Sequence, residues 1–174
     1  MLAVNVENLD MEASSRVAQK AVLEEISLAN AKISRDPLIV YPEALSLEHK
    51  CSTDMLSSSY KEKYMVLCIF RVDAFNGKEP GKLIMNIEAS FCTSYVKNPD
   101  IHIPDDVFEY LMTINPIANA WPYWREFVQS MSARMGFPAL TVPLLEIVPK
   151  KSAEKEAKRQ PAKKESARRK KAVA

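Results

Sequence analysis

Apolar residues recur at every second position along several stretches of this chain and at every third or fourth position along one more. Leu45, Leu47, His49 and Cys51 alternate with Ser46, Glu48 and Lys50, which predicts a strand with one face buried. Tyr64, Val66, Cys68, Phe70 and Val72 alternate with Met65, Leu67, Ile69, Arg71 and Asp73, so the next strand is apolar on both faces over its first half. Asn76-Gly77, in the polar stretch that runs to Gly81, is a hairpin signal. It leads into Leu83, Met85, Ile87, Ala89 and Phe91 on one face, with Asn86, Glu88 and Ser90 on the other, and the two strands are expected to be antiparallel. Ahead of these, Ile26, Leu28, Asn30 and Ile33 predict a further strand, ended by Asp36-Pro37.

Helical periodicity is concentrated late in the chain. Pro104-Asp105-Asp106 suits a first turn, where proline loses no bond and carboxylates meet the positive end of the dipole. Val107, Phe108, Tyr110, Leu111 and Ile114 supply that helix with an apolar face. A second, longer helix is expected after Asn115-Pro116, with Trp121, Trp124, Phe127, Val128, Met131 and Met135 in one stripe and Arg125, Glu126, Gln129 and Arg134 off it. Gly136 is placed to cap it in the left-handed conformation. A short helix is also expected between Met11 and Ile26 from Val17, Ala18, Ala21, Val22 and Leu23. The fold class is therefore α+β: a four-stranded antiparallel sheet packed with one long C-terminal helix.

That inventory leaves the sheet short of cover, because one long helix shields one face and the Tyr64–Val72 strand is apolar on both. Self-association is the economical remedy, and a homo-oligomer is expected.

Composition narrows the chemistry. A 47% hydrophobic content in 174 residues is enough for a core. Three glycines against eleven prolines argue against glycine-rich phosphate cradles. Cys51, Cys68 and Cys92 form no CxxC pair and read as buried thiols in a reducing compartment. His49 and His102 are isolated, and no Gly-x-Ser-x-Gly, HExxH or Walker sequence occurs. The reading is of a non-enzyme without metal or cofactor, cytoplasmic, with no apolar run long enough for membrane insertion.

Charge divides the chain in two. From Lys150 onward eleven Lys or Arg stand against three Glu, a net +8, which leaves residues 1–149 with 13 basic and 19 acidic side chains, a net −6. The division predicts a folded domain over 1–149, its first 24 residues a variable segment, and a disordered basic tail over 150–174. Such a tail offers a contact for nucleic acid or the ribosome, although it carries no aromatic side chain for base stacking.

The stretch Pro116-Ile117-Ala118-Asn119-Ala120-Trp121-Pro122-Tyr123-Trp124-Arg125-Glu126, then Ser130-Met131 and Arg134, then Phe137-Pro138-Ala139-Leu140 and Pro143, resembles the SecB protein-export chaperones. In that family a long helix begins with a similar Pro-Tyr-x-Arg-Glu and leads into a Phe-Pro-x-Leu segment. The resemblance covers roughly residues 25–148. It implies a four-stranded antiparallel sheet on the long helix, a tetramer assembled as a dimer of dimers, and holdase activity toward unfolded polypeptides without ATP, in protein transport or, as in some relatives, beside toxin and antitoxin pairs. The family's docking glutamate for the SecA motor aligns with Asn86, with Glu88 two residues on, and its second amphipathic helix has no counterpart from Lys151 onward.

On the residues alone, the Trp121, Trp124, Phe127 and Met131 stripe is core or subunit contact. The functional alternative is that its outer members join Leu45, Leu47, Phe137, Leu140, Val142 and Leu144 in an exposed groove that takes extended clients. Arg125-Glu126 is read as a solvated pair or as an orienting contact between subunits.

Overall fold

A computed structural model describes residues 2–7, 22–39, 44–56, 63–79, 81–96 and 105–150. In chain order these form β1 (Leu2–Glu7), β2 (Val22–Arg35), β3 (Leu45–Leu56), β4 (Lys63–Asn76), β5 (Leu83–Val96), α1 (Asp105–Arg134) and β6 (Leu145–Lys150). Strands β2 to β5 make one antiparallel sheet in the order β2-β5-β4-β3, and β1 and β6 make a separate parallel pair. The expected tail beyond residue 150, His102 and most of the Met11–Ile26 segment lie outside the described residues.

Strand β4, apolar on both faces, takes a central place beside β5. Its Val66, Cys68, Phe70, Val72 and Ala74 are fully buried and meet Met85, Ile87, Ala89 and Phe91 of β5 on the same face. Helix α1 lies on that face alone, its Trp121 and Trp124 against Phe70, its Phe127 against Phe91, and Phe108 against Tyr64. The other face of β4 carries Met65, Leu67 and Ile69, which are only half-buried.

Two expectations are corrected. Val22 to Ile26 is strand, not helix: Val22 pairs with Val96 and Leu23 with Tyr95, and the ladder to β5 outweighs a helical preference of a few tenths of a kcal/mol per residue. The two late helices are also one, because α1 runs unbroken for 30 residues through Pro116 and Pro122. Each proline removes an N–H, which leaves the carbonyls of Met112 and Ala118 without their usual donors, at a cost of about 3 kcal/mol. Burying Ile114, Ile117, Ala120, Trp121, Trp124 and Val128 outweighs that, at roughly 1.5–3 kcal/mol for each large side chain.

Strand β2 breaks step twice, with register shifts between Leu23 and Glu25 and between Leu28 and Asn30. The second shift explains a change of phase in the sequence. Leu28 sits opposite Phe91 on the helix side, Asn30 opposite Ser90 on the other, and Ile33 returns to the helix side opposite Ile87. The hairpin between β4 and β5 turns where Asn76-Gly77 predicts. Glycine is required there by close approach, since a Cβ on Gly77 would lie 2.9 Å from the Cβ of Ala44.

Helix α1 is capped by Gly136, whose φ of 80° only glycine adopts without strain. The Gly136 N–H donates to the Ala133 carbonyl at 3.0 Å and the Phe137 N–H to that of Ser132 at 3.1 Å, the paired bonds of a Schellman cap. Arg35, the last residue of β2, donates to the Met135 carbonyl and lays its guanidinium 5.2 Å from the Phe137 ring centre. A cation is thereby fixed at the negative end of the helix.

Candidate functional site

Beyond Gly136 the chain doubles back along α1 as an extended segment, 138–144, that leads into β6. Three side chains of the helix hold it by its backbone. The Ser132 hydroxyl accepts from the Leu140 N–H at 2.9 Å while donating to the Gln129 carbonyl at 3.1 Å. Arg125 Nε donates to the Val142 carbonyl at 3.0 Å, and Trp121 Nε1 to that of Pro143 at 3.2 Å. Arg125 is thus spent inside the chain, pinning the segment, where the sequence offered a solvated pair or a subunit contact.

These tethers place the segment on a definite side. Phe127 and Tyr123 lean toward Phe91 of β5, whereas Trp121 meets Phe70 of β4 edge-on at 5.7 Å and turns its N–H to Pro143. The segment therefore runs on the flank of α1 that faces β4 and β3, away from β2. On that flank Leu45 and Leu47 occupy the helix side of β3, opposite Asn76 and Ala74.

Of the ten residues expected to bind clients, Trp121 (5% exposed), Trp124 (1%), Phe137 and Val142 are buried in the core of the chain. Leu45, Leu140, Phe127 and Met131 are half-buried against that core. Leu47 (37%) and Leu144 (62%) are open. The helix separates the set, with Leu45, Leu47, Leu140 and Leu144 on the β3 flank and Phe127 on the β5 flank. A second apolar surface, on the β2 side, went unread in the sequence. Leu28 and Tyr123, each 51% exposed, flank Phe91 there, and Ile33 lies along the same face. Its signal was present in Leu28 and Ile33, but the register shift between them hid their common face.

The opposite face of the sheet, apolar at Met65, Leu67 and Ile69, becomes a polar lattice toward the β4–β5 turn. Asp73, 3% exposed, accepts from Arg71 Nε at 2.8 Å and from Asn86 Nδ2 at 2.7 Å, and Arg71 also reaches Glu88 at 3.7 Å. Burial pushes the Asp73 carboxyl up, but the hydrogen bonds from Arg71 and Asn86 and the charges of Arg71 and Lys50 outweigh it and hold it below the ordinary value. Of the two residues expected at a docking face, Asn86 is buried in this network and Glu88 is half-exposed beside Arg71.

Reactive chemistry is muted. Burial pushes the Cys68 thiol up to about 12 and raises Cys51 and Cys92 as well, so all three stay protonated at neutral pH. His49, on the helix side of β3, has its Nδ1 buried without a hydrogen-bond partner, and burial pushes its imidazole down. Among the described residues no group of three or more His, Cys, Asp or Glu is placed to hold a metal, and no helix is long and apolar enough to cross a membrane.

The backbone matches a known architecture. The SecB-like chaperone Rv1957 of Mycobacterium tuberculosis, solved with a ChAD peptide from the Rv1956 HigA1 antitoxin, superposes with a TM-score of 0.66 over 79% of this chain and 100% of that one, at 15% identity. The fold is SecB-like. A protein of unknown function from Streptococcus agalactiae also aligns, over 71% of this chain and 97% of that one, with a TM-score of 0.37 and 8% identity. No protein-family model and no curated protein sequence matches the chain. The SecB-like fold agrees with the expected sheet and helix, and at this level of identity it speaks to architecture alone.

Proposed function

We propose that this chain is an ATP-independent holdase that grips extended, unfolded polypeptides on the β3 flank of α1. The observation that carries the reading is the pairing of open and closed apolar surface there. Leu47 and Leu144 stand in water beside half-buried Leu45 and Leu140, above a buried aromatic floor of Trp121, Trp124 and Phe70. A buried aromatic floor with exposed aliphatic rims suits many sequences, and repeated weak contacts along one client add through effective concentration. The peptide held by the Mycobacterium tuberculosis chaperone supports a polypeptide ligand for this fold. Holding of this kind needs no bond-making group and no cofactor.

The chain works as a homo-oligomer, a tetramer built as a dimer of dimers in the cytoplasm. The open apolar surface that Leu28 and Ile33 of β2 form with Tyr123 of α1 is where a second copy packs. An antitoxin-like client is favoured over the export route. SecA docking through Asn86 and Glu88 would use one residue already buried against Asp73 and another beside Arg71. Nucleic-acid contact through the basic tail is a separate property, which removal of residues 151–174 would abolish while leaving holding intact.

The test is suppression of aggregation of a denatured model protein, with Leu47→Asp and Leu144→Asp introduced together. The variant is expected to lose suppression and keep its mass by light scattering. Undiminished suppression would exclude this flank as the binding surface.

A further inference from the structure

We propose that β6 is the main-chain half of the peptide site, and that the chain's own β1 is its resident, displaceable occupant. The ligand class that replaces β1 is an extended polypeptide segment with aliphatic residues at alternate positions. The inference rests on the holdase reading and adds where a client backbone is bound and what guards that place.

Strand β6 follows directly on Leu144, so it continues the tethered segment that borders the open flank. Along its whole length β1 lies beside it in parallel, from Leu2 opposite Leu145 to Glu7 opposite Lys150. The two strands come from opposite ends of the described chain, and neither joins the four-stranded sheet. A two-stranded ribbon standing apart from a larger sheet is marginal in water, and parallel pairing is slightly weaker per residue than antiparallel. Pro149 also brings no N–H to the ladder. Fourteen residues, 8–21, separate β1 from β2 in the sequence, and β1 shares no hydrogen-bonded ladder with the main sheet.

The occupant defines the ligand. Leu-Ala-Val-Asn-Val-Glu alternates aliphatic with small or polar residues and pairs through its backbone, the mode in which a strand-adding site reads a peptide. A tethered occupant is present at an effective concentration of about millimolar, so short or weak segments are turned away. A long unfolded client gains further contacts at Leu47, Leu140 and Leu144 and displaces it.

Three proteins test this: the full chain, the chain lacking residues 1–10, and the full chain carrying Val4→Pro with Val6→Pro. Each is titrated with a fluorescein-labelled synthetic peptide of residues 1–10 and, separately, with a denatured model client. The truncated and proline forms are expected to bind the peptide at least ten-fold more tightly than the full chain, and the client several-fold more tightly. Equal peptide binding by all three, or none by either altered form with the circular dichroism of the main fold unchanged, overturns the resident-strand inference. Failure of every form to hold client, with peptide binding as expected, defeats the holdase reading instead and leaves the exchange at β6 standing.

Discussion

Phe70 of β4 and Trp124 of α1 stack with ring centroids 5.5 Å apart and planes 17° from parallel. That contact joins the centre of the sheet to the middle of the helix, and Trp121 and Phe91 close around it. Trp124→Ala is expected to destabilise the chain by about 3–5 kcal/mol, the range for deleting a buried aromatic ring. Chemical denaturation followed by tryptophan fluorescence checks it. A loss under about 1 kcal/mol would show that the helix is held to the sheet elsewhere.

Arg125 and Val142 give a second prediction. Replacing Arg125 with Met keeps the length of the stem and removes the donor to the Val142 carbonyl, so one of three tethers on the 138–144 segment is lost. The expected cost is about 1.5–3 kcal/mol, as for a hydrogen bond from a charged group, with faster hydrogen exchange between Leu140 and Leu145 than elsewhere. Uniform exchange across the chain would mean that Trp121 and Ser132 suffice.

His49 sets a pH dependence whose direction is fixed. Burial favours its neutral form, so the folded pKa lies below the ordinary 6.5 and the unfolded chain binds the extra proton first. Its contribution is complete above the unfolded value and is lost as pH falls from there through the folded one. Asp73 acts lower: its folded pKa lies below the ordinary 3.8, so its contribution is present above that value and lost as pH drops further. Stability measured from pH 7.5 to 5 is expected to decline, and His49→Gln to flatten the decline. An unchanged slope in the variant would assign it to another group.

Gly136→Ala gives a fourth expectation. The left-handed backbone there costs any other residue about 1–2 kcal/mol, and the new Cβ would sit 3.3 Å from the Arg35 guanidinium. A lower thermal midpoint is expected, with the larger share of the loss removed by adding Arg35→Ala if crowding dominates, and none removed if the backbone does.

The sequence was legible wherever one residue type answers one local need. Gly136 had to be glycine because its φ is positive, and Gly77 had to be glycine because Ala44 crowds it. Strand alternation in β3, β4 and β5 placed the helix face correctly, since the core lies on one side of the pleat. Three features escaped that logic. Pro116 marked a boundary by local rules, yet Ile114 and Ile117 on either side are both buried, and packing carried the helix through. Val22 and Leu23 suited a short helix until Val96 and Tyr95 supplied a ladder. Pairing of β1 with β6 is main-chain chemistry between distant segments, which leaves no alternation to compare across the gap. For the candidate site, the sequence named apolar residues without their depth. Trp121 and Leu144 read alike in sequence, and only the fold buries the first, at 5% exposure, and leaves the second open at 62%.

A sheet that ends in a long outer strand beside exposed apolar side chains runs the danger of polymerising with itself. The two irregularities in β2, at Leu23/Glu25 and Leu28/Asn30, interrupt the even row of donors and acceptors that a neighbouring molecule would need for zippering. The kinked margin keeps the chain from becoming fibrillar material while the apolar flank beside β3 stays open.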